Sequence, residues 1–414
     1  MTLIMVRHDT GRPGLYGAAA GVVARALDGQ VMHGPVHVDE TRDPDGCQHV
    51  GLAPERLPSG LLHAERLTGR TMGPVADVDR IMAVAAVENV VVPYDGLLDD
   101  GSGFASDLLR RGACAGMRLI DAGLEDDALV CRDERNGTVV ARAWQDGFGR
   151  FHPEPAHHAG RDMARHDPVR IALIGTAGTH HTVYPGALAA LGDAAEALGV
   201  DVDVTFIDPA ASDDDPCYPA LVASDGVLLP GGAAAPSVRG QIRAAGVALA
   251  HGVPVMGLCL GMQTMTTAFA RLRAAMPDVA MAEVAEGKGT SLSFRAHDHY
   301  RLGINALHPV PDTELGAMLA DGACVIRSNH RYVLNTDLLP PLCAAGLRVA
   351  AWNDDGTVVE GIELPGHPFY MGMQGHPELT SAAGRPHPLC TAFVQAARVR
   401  HDRRGRMDNR KGKQ

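Results

Sequence analysis

The stretch VPVMGLCLGMQTMTTAFA, Val253 to Ala270, decides how the rest of the chain is read. Its apolar start predicts a short strand, then a tight turn at Cys259, then a helix. Gly257 and Gly261 flank Cys259 at two residues on either side. Small residues there let the backbone bend sharply and push a nucleophile out of the sheet edge. The helix that follows aims its free N–H groups and positive dipole end at the sulfur, which favours the thiolate. The backbone N–H of Leu260 is then placed to hold an oxyanion. A lone cysteine between glycines is more often a small core residue, so this reading needs support from the rest of the chain.

The neighbouring sequence supplies it. VRIALIG (169–175), VDVTFID (202–208) and SDGVLLPGG (224–232) predict buried strands, separated by helices over Tyr184–Leu198 and Val238–His251. Strands alternating with helices predict a mostly parallel sheet covered on both faces. Chemistry in such sheets sits at the carboxyl ends of the strands, where Cys259 and the Pro230-Gly231-Gly232 turn both fall.

Residues 1–151 predict a smaller α/β domain of unassigned topology. TLIMVRHD (2–9) reads as a strand, and the region from Gln30 to Pro74 shows no clean periodicity. ALVCRD and GTVVARAW meet across Asn136-Gly137 as a hairpin. Residues 152–168 are polar and histidine-rich and read as a linker, its histidines matching no standard metal spacing. Residues 169–398 form the second domain, and the basic run 399–414 reads as a frayed, disordered tail.

With 414 residues, two domains are expected. A net charge of −12 argues against a nucleic-acid surface. No apolar run approaches the roughly 20 residues of a membrane span, and the N-terminus lacks signal-peptide order. The eight cysteines form no CxxC pair; a reducing cytoplasm with free thiols fits them best, and no metal or other cofactor is expected.

A thiolate nucleophile needs a base, and the base needs an orienting group. MGMQGHPEL (371–379) supplies His376 and Glu378. An HPE triplet alone is weak, and a second one occurs at His152–Glu154. The cysteine turn, the PGG turn and HPE in this order are specific. Together with SNHRYVLN and RPHPLCTAF they make residues 169–397 resemble class I glutamine amidotransferases, above all the glutaminase domain of CTP synthases.

The resemblance implies a flavodoxin-like α/β domain with Cys259 as nucleophile, His376 as base and Glu378 as its orienter. It implies oxyanion donors at the Gly231 and Leu260 N–H groups, and a glutamine site drawn from Gly232, Ala233, Gln263, Glu283, Arg331 and Tyr332. The expected function is glutamine hydrolysis through a γ-glutamyl thioester, supplying ammonia to a biosynthetic amination. The expected partners are L-glutamine or another γ-glutamyl compound and a synthetase or small-molecule acceptor; oligomeric state is left open.

Three departures bear on this. PGGAAAPSVRG (230–240) stands where the family has PGGFG and a close Arg-Gly, so Ala233 replaces a phenylalanine and the loop reads as longer. Gly375 replaces an aromatic residue, and both changes predict a wider donor pocket. The chain also lacks GxxxxGK[ST], so CTP synthesis by itself is not expected. Two alternatives follow: a hydrolase or transferase of larger γ-glutamyl amides, and a non-catalytic CTP-synthase-like regulatory subunit. LIMVRHDTG (3–11) also faintly resembles the RHG motif of histidine phosphatases, with His8 as the candidate, but that family's second histidine has no match.

Overall fold

The computed structural model describes residues 2–125, 128–154, 167–210, 217–232, 234–284, 292–320, 322 and 324–411. The chain divides into two compact units, Met1–Ala164 with Gly178–Ala189, and Arg165–Ala177 with Ala190–Gln414.

The first unit is built from β1 (Leu3–His8), α1 (Ala18–Leu27), β2 (Gln30–Val31), α2 (Leu61–Thr68), α3 (Val78–Ala85), β3 (Val90–Asp95), α4 (Phe104–Cys114), β4 (Arg118–Glu125), β5 (Ala128–Asp133), β6 (Val139–Gln145) and β7 (Phe151–Pro153). Its seven strands run in the order β2-β3-β1-β4-β5-β6-β7. The first four are parallel and the hairpins that follow are antiparallel. Strand alternation divides β1 between two cores. Ile4 and Val6 pack with α1 and α2, whereas Leu3 and Met5 pack with α3 and α4. The hairpin expected at Asn136-Gly137 is β5–β6. The region 30–74, expected to be irregular, contains α2, an eight-residue helix started by Gly60 and too short to show a period.

The start of the expected linker is strand. His152 and Pro153 belong to β7, paired with Trp144 and Ala143, and 155–166 lie outside the described residues. After β8 (Val169–Ile174), the helix α5 (Ala177–Thr182) and the start of α6 (Gly186–Leu198) pack with the first unit. There Gly14 donates its N–H to Thr182 O at 2.8 Å. A Cβ on Gly14 would lie 2.4 Å from the Thr182 carbonyl carbon, so only glycine permits this approach.

The second unit continues through β9 (Val202–Ile207), α7 (Cys217–Ala223), β10 (Gly226–Leu229), α8 (Ala235–His251), β11 (Val255–Leu258), α9 (Leu260–Arg273), β12 (Ala280–Met281), β13 (Leu292–Ala306), β14 (His308–Pro309), α10 (Glu314–Ala320), β15 (Val325–Leu334), α11 (Leu339–Ala344), β16 (Arg348–Trp352), β17 (Val359–Glu363), β18 (Tyr370–Met373) and α12 (Pro388–Lys411). Its main sheet has the order β14-β16-β17-β18-β11-β10-β8-β9. The five strands from β18 to β9 are parallel, as the alternation predicts. Ala172 and Ile174 face α8 and α9, while Ile171 faces Phe393 of α12 across Gly226. Helices thus cover both faces. A separate sheet β12-β13-β15 stands beside it.

Two expectations are corrected. The helix α8 begins at Ala235 rather than at Val238, because Pro236 fits its first turn. The tail is helical to Lys411 rather than frayed from 399. Arg400 donates to three carbonyls, Ser224 at 3.2 Å, Gly252 at 3.1 Å and Val222 at 3.2 Å. His401 reaches Asp225 at 3.1 Å. These contacts tie the basic run to the ends of α7 and α8.

Candidate active site

Cys259 sits between β11 and α9 with φ +50° and ψ −106°, a backbone conformation that non-glycine residues rarely hold. Its N–H is fixed by Met373 O at 2.8 Å. A Cβ on Gly261 would lie 2.0 Å from Leu229 O, and one on Gly257 would lie 2.6 Å from the Gly261 carbonyl carbon. Both glycines are therefore required by close backbone approach. The contact with Leu229 also sets the end of β10, and so the Pro230-Gly231-Gly232 turn, against the first turn of α9.

The first i to i−4 bond of α9 runs from Gln263 N to Cys259 O at 3.2 Å. The N–H groups of Leu260, Gly261 and Met262 precede it and lack intrahelical acceptors. Gln241 and Thr264, neither of which the sequence singled out, hold the PGG turn in place. Gln241 Nε2 donates to Pro230 O at 3.0 Å, and the Thr264 hydroxyl lies 3.0 Å from Gln241 Oε1. Both are buried.

His376 follows β18, its N–H bound to Arg327 O of β15 at 2.8 Å. Its Nδ1 lies 2.7 Å from Glu378 Oε1, with both side chains fully buried. With Nδ1 committed to the carboxylate, Nε2 is the ring nitrogen left for Cys259. Burial lowers the proton affinity of His376. The Cys259 sulfur and the Glu378 carboxylate, by charge and hydrogen bond, outweigh that and hold its pKa well above 6.5.

Gln263, one turn into α9, is buried; its Nε2 reaches Tyr332 O at 3.4 Å, while its Oε1 has no hydrogen-bond partner among the described residues. Arg331 lies on the exposed side of β15 with its guanidinium 5.1 Å from the Tyr300 ring centre. Glu283 falls in the short helical turn Ala282–Val284, but its side chain lies outside the described residues, as does Ala233. Gln374 was missed. Its side chain is buried with Nε2 4.0 Å from Cys259 Sγ. Pairing across strands 115 residues apart leaves no local signal for that contact.

Gly375 does not open the pocket. A Cβ there would lie 2.5 Å from Ile326 Cγ1, so the side chain of Ile326 occupies the space that an aromatic residue would need. The second HPE triplet is also accounted for. His152 stacks on Trp144 at 4.2 Å and bonds Asp146 at 3.0 Å. The RHG-like reading fails at Arg7, which pairs with Asp121 at 2.7 Å and Glu134 at 2.8 Å instead of standing ready for a phosphate.

A buried cysteine at a strained strand–helix turn, a buried histidine–glutamate pair and a PGG turn thus come together at the carboxyl end of the parallel sheet. The family profile "Glutamine amidotransferase class-I" matches residues 183–396, just over half of the chain. The chain belongs to the class I glutamine amidotransferase family. It is 36% identical over 246 residues to a CTP synthase of Roseiflexus castenholzii, covering 55% of this chain and 43% of that one. A CTP synthase of Saccharopolyspora erythraea is 34% identical over 399 residues, 89% of this chain and 66% of that one. Among solved structures, the glutaminase domain of Trypanosoma brucei CTPS with bound acivicin matches with a TM-score of 0.52 and 28% identity. That match covers 56% of this chain and 94% of that one. The match spans less than half the length of the Roseiflexus castenholzii protein and about two thirds of the Saccharopolyspora erythraea one. Among the described residues no helix is long and apolar enough to cross a membrane.

Proposed function

We propose that the second unit hydrolyses the side-chain amide of L-glutamine with Cys259, His376 and Glu378, and that the ammonia serves an amination on an acceptor or synthetase partner. The Cys259 sulfur attacks the amide carbon, forming a C–S bond. The oxyanion is held by the N–H groups of Gly231 and Leu260. His376 gives its proton to the amide nitrogen, the C–N bond breaks and ammonia leaves. Water then attacks the thioester carbon while His376 takes its proton. The C–S bond breaks, releasing glutamate and restoring the thiolate.

The observation that carries this reading is the coupling of a fully buried His376–Glu378 pair to Cys259 at a strained turn. A buried ion pair is costly to keep without a use for its charge, which also weighs against a non-catalytic role. The unpartnered Oε1 of Gln263 suits a substrate ammonium group, and Arg331 suits a carboxylate. Gly232, Ala233, Glu283 and Tyr332 complete the proposed glutamine site. The lack of a phosphate-binding GxxxxGK[ST] loop supports an amination carried out with a partner rather than CTP synthesis by this chain alone. The division into an N-terminal acceptor- or partner-binding domain and a C-terminal glutaminase is part of this proposal.

The test is glutamate release from L-glutamine by the purified protein beside Cys259→Ala. Turnover lost by several orders of magnitude in the variant is the expected result. Cleavage of larger γ-glutamyl amides in preference to glutamine would favour the hydrolase or transferase alternative. Ile326 filling the space beside Gly375 removes one of that alternative's two supports.

A further inference from the structure

The carboxyl edge of the large sheet carries a buried polar row that the Cys259, His376 and Glu378 arrangement leaves unused. Leu258 pairs with Met373 in parallel register, so Cys259 and Gln374 come next and share a face. Gly361 pairs with Met373 in antiparallel register, and Gln374 N donates to Glu360 O at 2.9 Å. Glu360 is therefore directly opposite Gln374, with its side chain on that same face. Gln374 and Glu360 are each 0% exposed.

The polar atoms of this row are half used. Gln374 Nε2 faces Cys259 Sγ at 4.0 Å, a length that catalytic hydrogen bonds often show before substrate tightens them. Arg301 Nη2 donates to Glu360 Oε1 at 2.7 Å. Gln374 Oε1 and Glu360 Oε2 are both buried with no hydrogen-bond partner among the described residues. Buried polar atoms are nearly always paired. Their placement on paired strands lets these two acceptor oxygens share one hydrogen, and burial, which raises the proton affinity of Glu360 against the opposing pull of Arg301, favours the form that carries it.

On the reading that Cys259 is the glutaminase nucleophile, we propose that Gln374 is a further member of the site, its side-chain N–H holding the Cys259 thiolate, with Glu360 and Arg301 as positioning residues that fix the amide. A hydrogen bond to a charged sulfur is stronger than one to a neutral sulfur, so Gln374 favours the thiolate over the thiol in the resting enzyme. The same N–H stabilises the sulfur again as the C–S bond of the thioester breaks and negative charge returns to it. Glu360 contributes by keeping the amide oxygen, which would repel the thiolate, turned away.

The experiment measures alkylation of Cys259 by iodoacetamide across pH in the full-length protein, read by mass spectrometry of the peptide carrying Cys259. That readout separates it from the exposed Cys114, Cys324 and Cys343. Gln374→Leu is expected to slow alkylation near neutral pH by about tenfold and move its pH profile upward. Glu360→Leu is expected to slow it less, and the double variant no more than Gln374→Leu alone. Gln374→Met, closer in volume, replaces the leucine variant if that one melts early. Unchanged or faster alkylation in a folded Gln374 variant overturns the proposal. It is the result expected if the amide is reversed, with its oxygen on the sulfur and its N–H on Glu360. Additive losses overturn the role of Glu360. Glutamine takes no part in this assay, so failure of the glutaminase reading shows separately, as absent glutamate release by the wild-type protein.

Discussion

Nδ1 of His376 and Oε1 of Glu378 lie 2.7 Å apart in a site where neither side chain reaches solvent. A carboxylate placed there fixes the ring orientation and stabilises the imidazolium against its burial. Glu378→Gln keeps the volume and removes the charge. The expected outcome is a fall in kcat for glutamine of roughly 10²- to 10⁴-fold with little change in KM. The folded pKa of His376 is raised above 6.5. Its contribution to stability is therefore full below about pH 6.5 and is lost as pH rises through the raised folded value. Denaturant midpoints measured across pH should show this decline in the wild type and a smaller one in Glu378→Gln.

Gly375 and Ile326 share one volume, since a Cβ on the glycine would lie 2.5 Å from Ile326 Cγ1 and 3.0 Å from Arg327 O. Gly375→Phe alone should overpack the site and lower stability by about 1–3 kcal/mol or more. Adding Ile326→Ala should recover part of that loss, giving a coupling of about 1 kcal/mol or more in a double-mutant cycle. Losses that simply add would mean that the two side chains do not compete for the same space.

These two pairs show where the sequence could be read and where it could not. Cys259, His376 and Glu378 lie in local patterns whose glycines and spacing have a backbone reason, and the elbow at Gly257 and Gly261 is required by contacts of 2.6 Å or less. The parallel sheet followed from strand and helix alternation. Ile326 opposite Gly375, Gln241 beneath Pro230, and Gln374 beside Cys259 are pairings between separate elements, from 11 to 115 residues apart, which no local period encodes. The missing aromatic before His376 therefore read as an opening, although another strand fills it. In the first unit α2 escaped because eight residues give barely two turns.

Asp95 organises the carboxyl ends of β1 and β3. Its Oδ2 accepts from Gly11 N at 2.8 Å and from the Thr10 hydroxyl at 3.0 Å, and lies 3.2 Å from His8 Nδ1; Leu97 N reaches Oδ1 at 2.9 Å. Burial opposes the charge, but the His8 hydrogen bond and the backbone N–H groups hold its carboxyl below 3.8. A lowered carboxylate pKa stabilises the fold above the unfolded value and loses that contribution as pH falls through the folded one. Asp95→Ala should cost about 1–3 kcal/mol by taking the acceptor from one buried histidine and several partly buried donors. Its stability should also vary less with pH below about 4 than that of the wild type, checked by urea denaturation at several acidic pH values.

The helical tail yields the last expectation. Arg400 donates to the carbonyls of Val222, Ser224 and Gly252, groups left over at the ends of α7 and α8. Burial lowers its pKa without removing its charge, so the guanidinium remains a donor to all three. Arg400→Met keeps much of the packed stem and deletes the donors. It should destabilise the second unit by about 1–3 kcal/mol, visible as a lower melting temperature. Arg403→Met removes an equal charge from an exposed position on the same helix and should change stability by less than about 0.5 kcal/mol. Equal effects of the two substitutions would mean that the tail acts through its net charge. A loss confined to Arg400→Met would mean that it acts by closing the ends of two helices.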